Sequence, residues 1–449
     1  MEPHLLNRVY IATLGCPKNE VDSQVLARCL NETEWQVVNS IDEADVAIIN
    51  TCGFIEPAKA ESIEFIWKLL EIKEKGHISA VVVTGCLAER YSSLLAEEIP
   101  ELDAIFGNRN VCEIPNLLHE VLNKDESSTD KPPFIAFPKD FQTNWYANPT
   151  KSSNSVWGYL KIAEGCDNCC NYCAVPGIRG GLRSVPIESL IKQAKYLIDS
   201  GAKEIVLIAQ DTMAYGHDKG QKLLPELLRR ISDIEGEFWL RVLYAHPRHI
   251  DTDDIIALTE TPKVVPYLDI PIQHIAEPVL ERMGRKVSGK EIREKISLIR
   301  ELRPDIALRT SLIVGFPGES DEDFEELAEY LDDGDFIHGG VFSYSREDGT
   351  KAAGMDNEVA PRDVESRKLL IELIFNRLRA ESNRGMEDQT VPVLVESGGT
   401  RANLRWGRTQ YDAPEIDRMV RFYGNATVGT FVDVRIIRGT NYHLVGVQE

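Results

Sequence analysis

The sequence predicts an α/β protein in three parts: an N-terminal domain built on a parallel α/β sheet, a partial TIM-like (βα)6 barrel, and a small antiparallel β-barrel at the C-terminus. Three observations lead to this class. Short apolar strands alternate with helical stretches before residue 122, the alternation resumes on a larger scale from residue 156, and the residues after 386 form strand-like runs separated by glycines.

The N-terminal domain, residues 8–122, depends on three apolar runs. They cover residues 8–14, 45–50 and 80–84, and each is short and uninterrupted, as is typical of a strand buried on both faces of a parallel sheet. Helical spacing over 23–30 and 62–75 separates them. A strand–helix–strand alternation of this kind predicts a parallel sheet.

Residues 123–155 have a different composition. Two polar stretches rich in Lys, Asp, Ser, Thr, Asn and Pro occur here, which is typical of linkers and exposed loops. We therefore expect a linker between the first domain and a second domain over residues 156–385.

The second domain contains six strand candidates with helix candidates between them. Strands are predicted at 157–162, 204–209, 239–244, 267–270, 307–314 and 336–342, and helices at 187–200, 223–234, 289–303 and 321–331. Six βα units predict a barrel with fewer strands than the eight of a TIM barrel, and ligands of such barrels bind at the carboxyl ends of the strands. A long charged helix over 361–388 follows.

The C-terminal domain, residues 386–449, has strand-like runs at 391–396, 419–422, 431–437 and 442–447. Glycines between them mark the turns, which predicts a β-barrel of about five strands.

Composition narrows the possible functions. A chain of 449 residues suffices for about three domains, and no apolar run approaches the ~18 residues needed to cross a bilayer. The first residues lack the apolar core of a signal peptide, and nine cysteines in that context point to a reducing compartment, so we expect a cytoplasmic protein with no membrane partner. A net charge of −22 gives no help to nucleic-acid binding.

Three cysteines in one loop carry the strongest chemical signal. Cys166, Cys170 and Cys173 form a C-x3-C-x2-C spacing, which can hold three irons of a [4Fe–4S] cluster and leave the fourth iron open to chelate a small molecule. Cys169 offers the alternative C-x2-C-x3-C. The alternative is that the loop binds zinc, but zinc sites usually need a second pair of cysteine or histidine ligands nearby, and no such pair follows in this sequence.

A second set of three cysteines has no local spacing motif. Cys16, Cys52 and Cys86 each come one or two residues after a predicted N-terminal strand, and the carboxyl ends of parallel strands meet at one edge of the sheet. They form either a second cluster site or three buried cysteines acting as small apolar residues. Cys29 and Cys112 lie in contexts without partners and are predicted to be structural.

Together these features resemble the methylthiotransferases, a family of radical S-adenosylmethionine enzymes, and the resemblance covers almost the whole chain. It implies an N-terminal cluster domain, a radical domain and a C-terminal TRAM barrel. By position, Cys16, Cys52 and Cys86 match the cysteines that hold a second [4Fe–4S] cluster in that family, and Cys166, Cys170 and Cys173 match those of the radical cluster. Cys169 departs from the Arg or Lys usual at its position. Tyr172 matches the aromatic residue usual before the last cysteine, which favours Cys170 as the ligand.

Two branches of this family matter. Leu14-Gly-Cys-Pro-Lys-Asn-Glu-Val-Asp-Ser23 resembles the RimO-like branch, which modifies an aspartate in the twelfth protein of the small ribosomal subunit, and so do the runs at 50–55, 159–166 and 411–417. The MiaB-like branch, which modifies an adenosine in tRNA, is the alternative. Residues 386–449 hold seven Arg, no Lys and eight acidic residues, a net charge of −1, whereas a barrel that grips tRNA would carry a basic excess. A basic ribosomal protein is therefore the expected partner and tRNA is not.

The resemblance implies S-adenosylmethionine and two clusters as cofactors, an electron donor such as flavodoxin or ferredoxin, and no catalytic side chain beyond the clusters. The predicted cofactor-binding residues are Tyr172, Gln210, Arg309, Gly315 and Gly318. His246 and His274 also end barrel strands, and a structural role is the simpler reading for each. The alternative from another class is a non-catalytic protein that binds or senses through its cluster.

Overall fold

The structure is a computed structural model that describes residues 8–122, 133–137, 148–150, 152, 154, 156–399 and 403–449. These residues form two compact units. The first comprises the chain up to Ser152 with Glu164–Cys166 and Ala174–Gly181, and the second comprises Ser153–Ala163, Asp167–Cys173 and Leu182–Glu449. Within the described ranges, every helix is too short or too polar to pass through a bilayer.

The first unit is built on a parallel sheet of six strands in the order β2-β1-β3-β4-β5-β6. The strands are β1 (Arg8–Thr13), β2 (Gln36–Val38), β3 (Val46–Thr51), β4 (Ala80–Gly85), β5 (Ala104–Phe106) and β6 (Phe134–Ala136). Its helices are α1 (Pro17–Asn31), α2 (Glu56–Glu74), α3 (Cys86–Glu98), α4 (Ile114–Leu122) and the short α5 (Val175–Arg179). Every residue of β3 and β4 is buried, as expected for central strands covered on both faces.

The predicted parallel sheet is confirmed, with three strands more than the sequence indicated. The additional strands β2, β5 and β6 have only three residues each, too few for a hydrophobic pattern to identify them. β6 lies inside the predicted linker and pairs with β5 at the edge of the sheet. Most of that linker, residues 123–132 and 138–147, lies outside the described residues.

The second unit contains a six-stranded parallel sheet in the order β7-β10-β11-β12-β13-β14, which confirms the predicted partial barrel. The strands of this region are β7 (Trp157–Lys161), β8 (Ala163–Glu164), β9 (Arg183–Ser184), β10 (Glu204–Ile208), β11 (Trp239–Val242), β12 (Val264–Asp269), β13 (Ala307–Val314) and β14 (His338–Ser343). The helices are α6 (Ile187–Asp199), α7 (Leu224–Ser232), α8 (Thr252–Glu260), α9 (Glu277–Met283), α10 (Gly289–Leu302), α11 (Asp321–Asp332) and α12 (Pro361–Gly385). Capping boxes start α8, α10 and α11.

The C-terminal residues of the second unit form a closed five-stranded barrel in the order β15-β16-β17-β19-β18. The strands are β15 (Thr390–Gly398), β16 (Leu404–Thr409), β17 (Met419–Tyr423), β18 (Phe431–Gly439) and β19 (His443–Gln448). Strands β17 and β19 pair in parallel and the other pairings are antiparallel. The predicted barrel of about five strands is therefore confirmed. Its division from the residues before 386, like the other domain boundaries, stays a prediction.

A buried group of charges joins this small barrel to the strands of the larger one. Glu204 at the start of β10 accepts hydrogen bonds from Arg241 on β11 and Arg408 on β16, each at 2.5 Å. Arg408 also donates to Glu396 on β15, and the side chains of Glu204, Arg241 and Arg408 have no exposed area. The buried Arg408 explains why the sequence did not identify β16, since a charged residue interrupts its apolar pattern.

Two cysteines that the sequence left without partners pair with each other. Cys29 near the end of α1 and Cys112 form a disulfide with their Cα atoms 5.4 Å apart. The prediction that they lack partners is wrong, because 83 residues separate them in sequence and only the folded sheet brings them together. The other seven cysteines, all within the described residues, form no disulfide.

Candidate metal centres

Cys16, Cys52 and Cys86 of the first unit follow three neighbouring strands of its sheet. β1, β3 and β4 are adjacent, and their register places Thr13 beside Asn50 and Asn50 beside Thr84. The strands therefore end level with one another, and the residues that follow them lie along one edge. The sequence prediction that these three strand ends converge is consistent with this register.

The backbone at this edge is tightly packed. A Cβ atom added to Gly15, which has φ +92°, would lie 2.7 Å from the Cβ of Cys52. One added to Gly53 would lie 2.9 Å from the carbonyl carbon of Cys86. Only glycine permits both approaches, so these two residues let the segments that carry the cysteines come into contact.

Asn19 on the first turn of α1 connects all three segments. Its Nδ2 donates to the carbonyl oxygens of Leu14 at 2.8 Å and Thr51 at 3.0 Å, which precede Cys16 and Cys52. Its Oδ1 lies 3.8 Å from the Sγ of Cys86. The sequence analysis missed this residue, because a single buried asparagine has no pattern that marks it.

The surroundings of the three thiols affect their ionisation differently. Burial raises the pKa of Cys52, and it raises the pKa of Cys86 to about 11 against the opposing positive charge of Arg179. Burial alone would also raise the pKa of Cys16, but Lys18, Arg179 and backbone N–H groups at the start of α1 outweigh it and lower that pKa. Thiolates bind metal, so the cations and the start of α1 favour the ligating form of Cys16.

The donor set suits an iron–sulfur cluster. Cys16 is the N-cap of α1 and Cys86 is the first residue of α3, so each sits where a helix dipole favours a negative charge. In the part of the chain that the structure describes, no three His, Cys, Asp or Glu side chains are close enough to share one metal ion. Thiolates bound to three different irons of a cubane lie further apart than thiolates bound to one metal ion, so a cluster fits this wider spacing.

The loop of the second unit carries Cys170 and Cys173. The N–H of Cys173 donates to the carbonyl of Cys170 at 3.1 Å, which closes a tight turn. Asn171 holds this turn in place, since its N–H donates to the carbonyl of Met283 at 2.8 Å and its Nδ2 to that of Arg282 at 2.9 Å. The turn is thus anchored on the end of α9.

Arg285 supplies a buried cation beside this turn. Its Nη1 lies 3.6 Å from the Sγ of Cys170 and 3.3 Å from the hydroxyl of Tyr172. His246 is also near this thiol, with its Nε2 4.0 Å from the same sulfur, and burial together with the charge of Arg285 lowers its pKa well below the usual value. A neutral histidine and a charged arginine at a thiolate match the hydrogen bonding that tunes cluster ligands.

The remaining cysteines of the run differ from these two. Cys166 belongs to the first unit, where its N–H donates to the carbonyl of Gly180 at 3.1 Å. Cys169 is exposed and has φ +48°, an unusual backbone conformation for a cysteine. The choice between Cys169 and Cys170 as a ligand stays a prediction, and the buried cation beside Cys170 favours Cys170.

Four of the predicted cofactor-binding residues follow barrel strands or lie in the cysteine loop. Gln210 follows β10, Gly315 and Gly318 follow β13, and Tyr172 packs edge-on against Phe316 with ring centroids 6.4 Å apart. A Cβ atom added to Gly315 would collide with Val364, and one added to Gly318 would collide with Arg282. Close packing is therefore sufficient to explain why both positions are glycine.

Arg309 takes part in an ion pair. It is the third residue of β13, and its Nη1 contacts Asp417 of the small barrel at 2.6 Å. The sequence suggested a cofactor carboxylate for this arginine, and the structure gives it a protein carboxylate.

Polar residues at the ends of β10 and β11 extend the site. Asp211 accepts a hydrogen bond from Asn168 of the cysteine loop at 2.6 Å, and its Oδ2 lies 2.7 Å from Nδ1 of His249. His246 and His274 each accept a hydrogen bond from a backbone N–H two residues further on, as expected for structural histidines. No sequence motif marked Asn168 or His249.

Comparison with known proteins agrees with this architecture. Residues 8–107 match a family described as uncharacterized protein family UPF0004, residues 160–331 match the radical SAM superfamily, and residues 389–448 match the TRAM domain. The ribosomal protein uS12 methylthiotransferase RimO of Acetivibrio thermocellus is 41% identical over 444 residues, covering 98% of both chains. The chain belongs to the RimO methylthiotransferase family. The RimO proteins of Geobacter sulfurreducens and Desulforamulus reducens are also 41% identical, over 98% and 97% of this chain.

Solved structures of lower identity share the fold. The radical S-adenosylmethionine methyltransferase TsrM of Kitasatospora setae matches with a TM-score of 0.54 at 14% identity, over 75% of this chain and 72% of its own. The cobalamin-dependent radical enzyme OxsB matches with a TM-score of 0.51 at 13% identity, over 83% of this chain and 56% of its own.

Membership of the RimO family makes this chain a radical S-adenosylmethionine methylthiotransferase. A [4Fe–4S] cluster and S-adenosylmethionine are the cofactors of the radical SAM class, and C-x3-C-x2-C lies inside the matched residues. The expectations of an enzyme, of its family and of its fold class are therefore confirmed.

Proposed function

We propose that this RimO-family enzyme adds a methylthio group to the β-carbon of an aspartate in ribosomal protein uS12, with two [4Fe–4S] clusters. The main observation behind the proposal is that β1, β3 and β4 end side by side, so that Cys16, Cys52 and Cys86 follow them along one edge of the sheet. The substrate follows from the curated relatives, which are named uS12 methylthiotransferases.

The two cysteine sets take different parts in this proposal. Cys166, Cys170 and Cys173 hold the radical cluster, and the N-terminal set holds the second cluster. When bound, these groups supply the radical that removes a hydrogen from an unactivated carbon and the sulfur that replaces it. The protein's part is to hold the ligands in place.

Several side chains perform that part at the radical cluster. Asn171 fixes the turn between Cys170 and Cys173 on the backbone of residues 282 and 283, and Arg285 places a charge 3.6 Å from the Cys170 sulfur. Gln210, Gly315, Gly318 and Tyr172 remain the proposed contacts of S-adenosylmethionine. The ion pair of Arg309 with Asp417 favours a structural role for Arg309.

The small barrel supports a protein substrate over tRNA. Its net charge is −1, and several of its arginines are used inside the protein. Arg408 is buried against Glu204 and Glu396, Arg418 is buried against Asp412 at 2.7 Å, and Arg405 donates to the carbonyl of Ala426. Arginines committed to internal contacts cannot neutralise phosphates, so the basic excess that tRNA binding needs is missing from these positions.

The surroundings of the reaction follow from the same reasoning. A protein that modifies a ribosomal subunit works in the cytoplasm, where a flavodoxin or ferredoxin can supply the electron that starts each turnover. The acidic chain, with a net charge of −22, also suits a basic ribosomal protein as partner.

Mass spectrometry distinguishes the proposed substrate from tRNA. Deletion of the gene should remove a methylthio group from uS12 and leave tRNA nucleosides unchanged, and complementation should restore it. Loss of a methylthio group from tRNA adenosine instead, with uS12 unaltered, would assign the chain to the MiaB-like reaction.

A second assay separates catalysis from binding or sensing. Anaerobically reconstituted protein with a reductant should cleave S-adenosylmethionine to 5′-deoxyadenosine, and the Cys166→Ala variant should not. Wild-type protein that carries clusters but forms no 5′-deoxyadenosine would indicate a non-catalytic cluster protein.

A further inference from the structure

Arg179 is a buried cation of the first unit that neither cysteine motif includes. It is the last residue of α5, six positions after Cys173, and only 5% of its side chain is exposed. Its guanidinium donates to Asp22 at 3.0 Å, to Glu164 at 2.9 Å and to the Oδ1 of Asn19 at 2.6 Å. A guanidinium removed from water in this way requires such partners.

The position of Arg179 links it to the N-terminal cysteines. The Asn19 oxygen that accepts its hydrogen bond also lies 3.8 Å from the Sγ of Cys86. Cys86 itself packs against Ala174 and Ile178, which precede Arg179 along the chain. The segment that follows the radical-cluster cysteines in sequence therefore provides part of the wall around Cys86.

The charges at this position explain what the arginine can do. Asp22 and Glu164 carry two negative charges, and three cysteine ligands of a bound cluster would add more negative charge. The guanidinium of Arg179 contacts the Asn19 oxygen that lies 3.8 Å from the Cys86 sulfur, so its positive charge is one side chain away from a ligand. A cluster gains one negative charge when it is reduced, and a nearby cation stabilises that form.

We infer that Arg179 is a positioning residue that sets the reduction potential of the N-terminal cluster: it orients Asn19 and Cys86, and its charge favours the reduced state. This inference rests on the proposed function, since it assumes a cluster on Cys16, Cys52 and Cys86. It assigns a role to a residue outside both ligand sets.

The test uses full-length protein in which Cys166, Cys170 and Cys173 are replaced by Ala, so that only the N-terminal cluster is reconstituted. Its midpoint potential is measured by an anaerobic redox titration followed by electron paramagnetic resonance. Arg179→Gln should shift the potential to a more negative value, and Arg179→Lys, which keeps the charge, should shift it less. Arg8→Gln is the control, because Arg8 pairs with Asp45 at the start of β1 and is half exposed.

Asp22→Asn supplies the variant that keeps the inference testable if Arg179→Gln does not fold. It removes a negative charge beside Arg179 and should shift the potential to a less negative value, opposite in sign to Arg179→Gln. A residue with only a packing role would not produce shifts of opposite sign. A loaded cluster whose potential is the same in parent, Arg179→Gln and Asp22→Asn proteins would overturn the inference.

Iron content separates this failure from failure of the proposed function. The parent protein without the loop cysteines should bind about four irons per chain. If it binds none, the second cluster is absent and both proposals are overturned. If it binds about four and the potentials do not move, only the role of Arg179 is overturned.

Discussion

Replacing Arg408 by Met should destabilise the attachment of the small barrel to the larger one by about 3–5 kcal/mol. Arg408 contacts Glu204 and Glu396 at 2.5 Å each and the carbonyl oxygen of Asp412 at 2.7 Å, and its side chain is fully buried. Together with Arg241 these groups form two positive and two negative charges. Removing one arginine leaves a net negative charge in the interior, and this uncompensated charge is the main cost.

Hydrogen exchange measured by mass spectrometry can follow this change locally. A loss of 1.4 kcal/mol increases local opening about tenfold, so amides of β16 and β10 should exchange roughly 100-fold faster or more. Adding Glu396→Gln to Arg408→Met restores a balanced charge and should recover about half of the loss.

An exposed ion pair provides the control for this variant. Arg346 and Glu358 are 63% and 61% exposed, so Arg346→Met should cost less than about 1 kcal/mol. If Arg408→Met exchanged no faster than Arg346→Met, the buried charge group would not hold the two barrels together.

Three further predictions follow from single contacts. Burial lowers the pKa of His274 to about 4, so the folded protein favours the neutral ring. Stability present above pH ~6.5 should therefore fall as the pH drops toward 4, by on the order of 3 kcal/mol in all. Urea unfolding should show about 2 kcal/mol of this loss between pH 7 and pH 5, and His274→Gln should show less of it. Gly15→Ala would place a Cβ atom 2.7 Å from the Cβ of Cys52, and it should halve the iron content from about eight per chain. Gly76→Ala is the control, because Gly76 also has a positive φ but has open space around it, and it should leave the iron content unchanged. Arg285→Met should make the potential of the radical cluster more negative in an anaerobic redox titration, and an unchanged potential would show that the contact with Cys170 has no electrostatic role.

The sequence predicted features of the fold that have a local signal. β3 and β4 are uninterrupted apolar runs and were identified, whereas β2, β5 and β6 have three residues each and were not. Strands this short depend on pairing with longer neighbours, and pairing is a property of the folded sheet. β16 was missed for a related reason, since its arginine faces a carboxylate from another part of the chain.

The same distinction applies to the site. The spacing of Cys166, Cys170 and Cys173 is local, so sequence alone indicated a cluster. Arg179 and Arg285 have no such spacing, because the atoms they contact lie more than a hundred residues away at Asn19 and Cys170. The partner of Cys29 could not be predicted either, as 83 residues separate it from Cys112. Cation placement at a cluster is therefore a tertiary property that a motif does not encode.

Iron and sulfide analysis of three proteins tests the central claim most directly. Anaerobically reconstituted wild-type protein should bind about eight irons and eight sulfides per chain, as two [4Fe–4S] clusters require. The Cys16, Cys52 and Cys86→Ala variant and the Cys166, Cys170 and Cys173→Ala variant should each bind about four. The claim of a cluster on the N-terminal cysteines would be contradicted if wild-type protein bound only about four irons. The variant of Cys16, Cys52 and Cys86 would then keep these irons, and the variant of Cys166, Cys170 and Cys173 would lose them all.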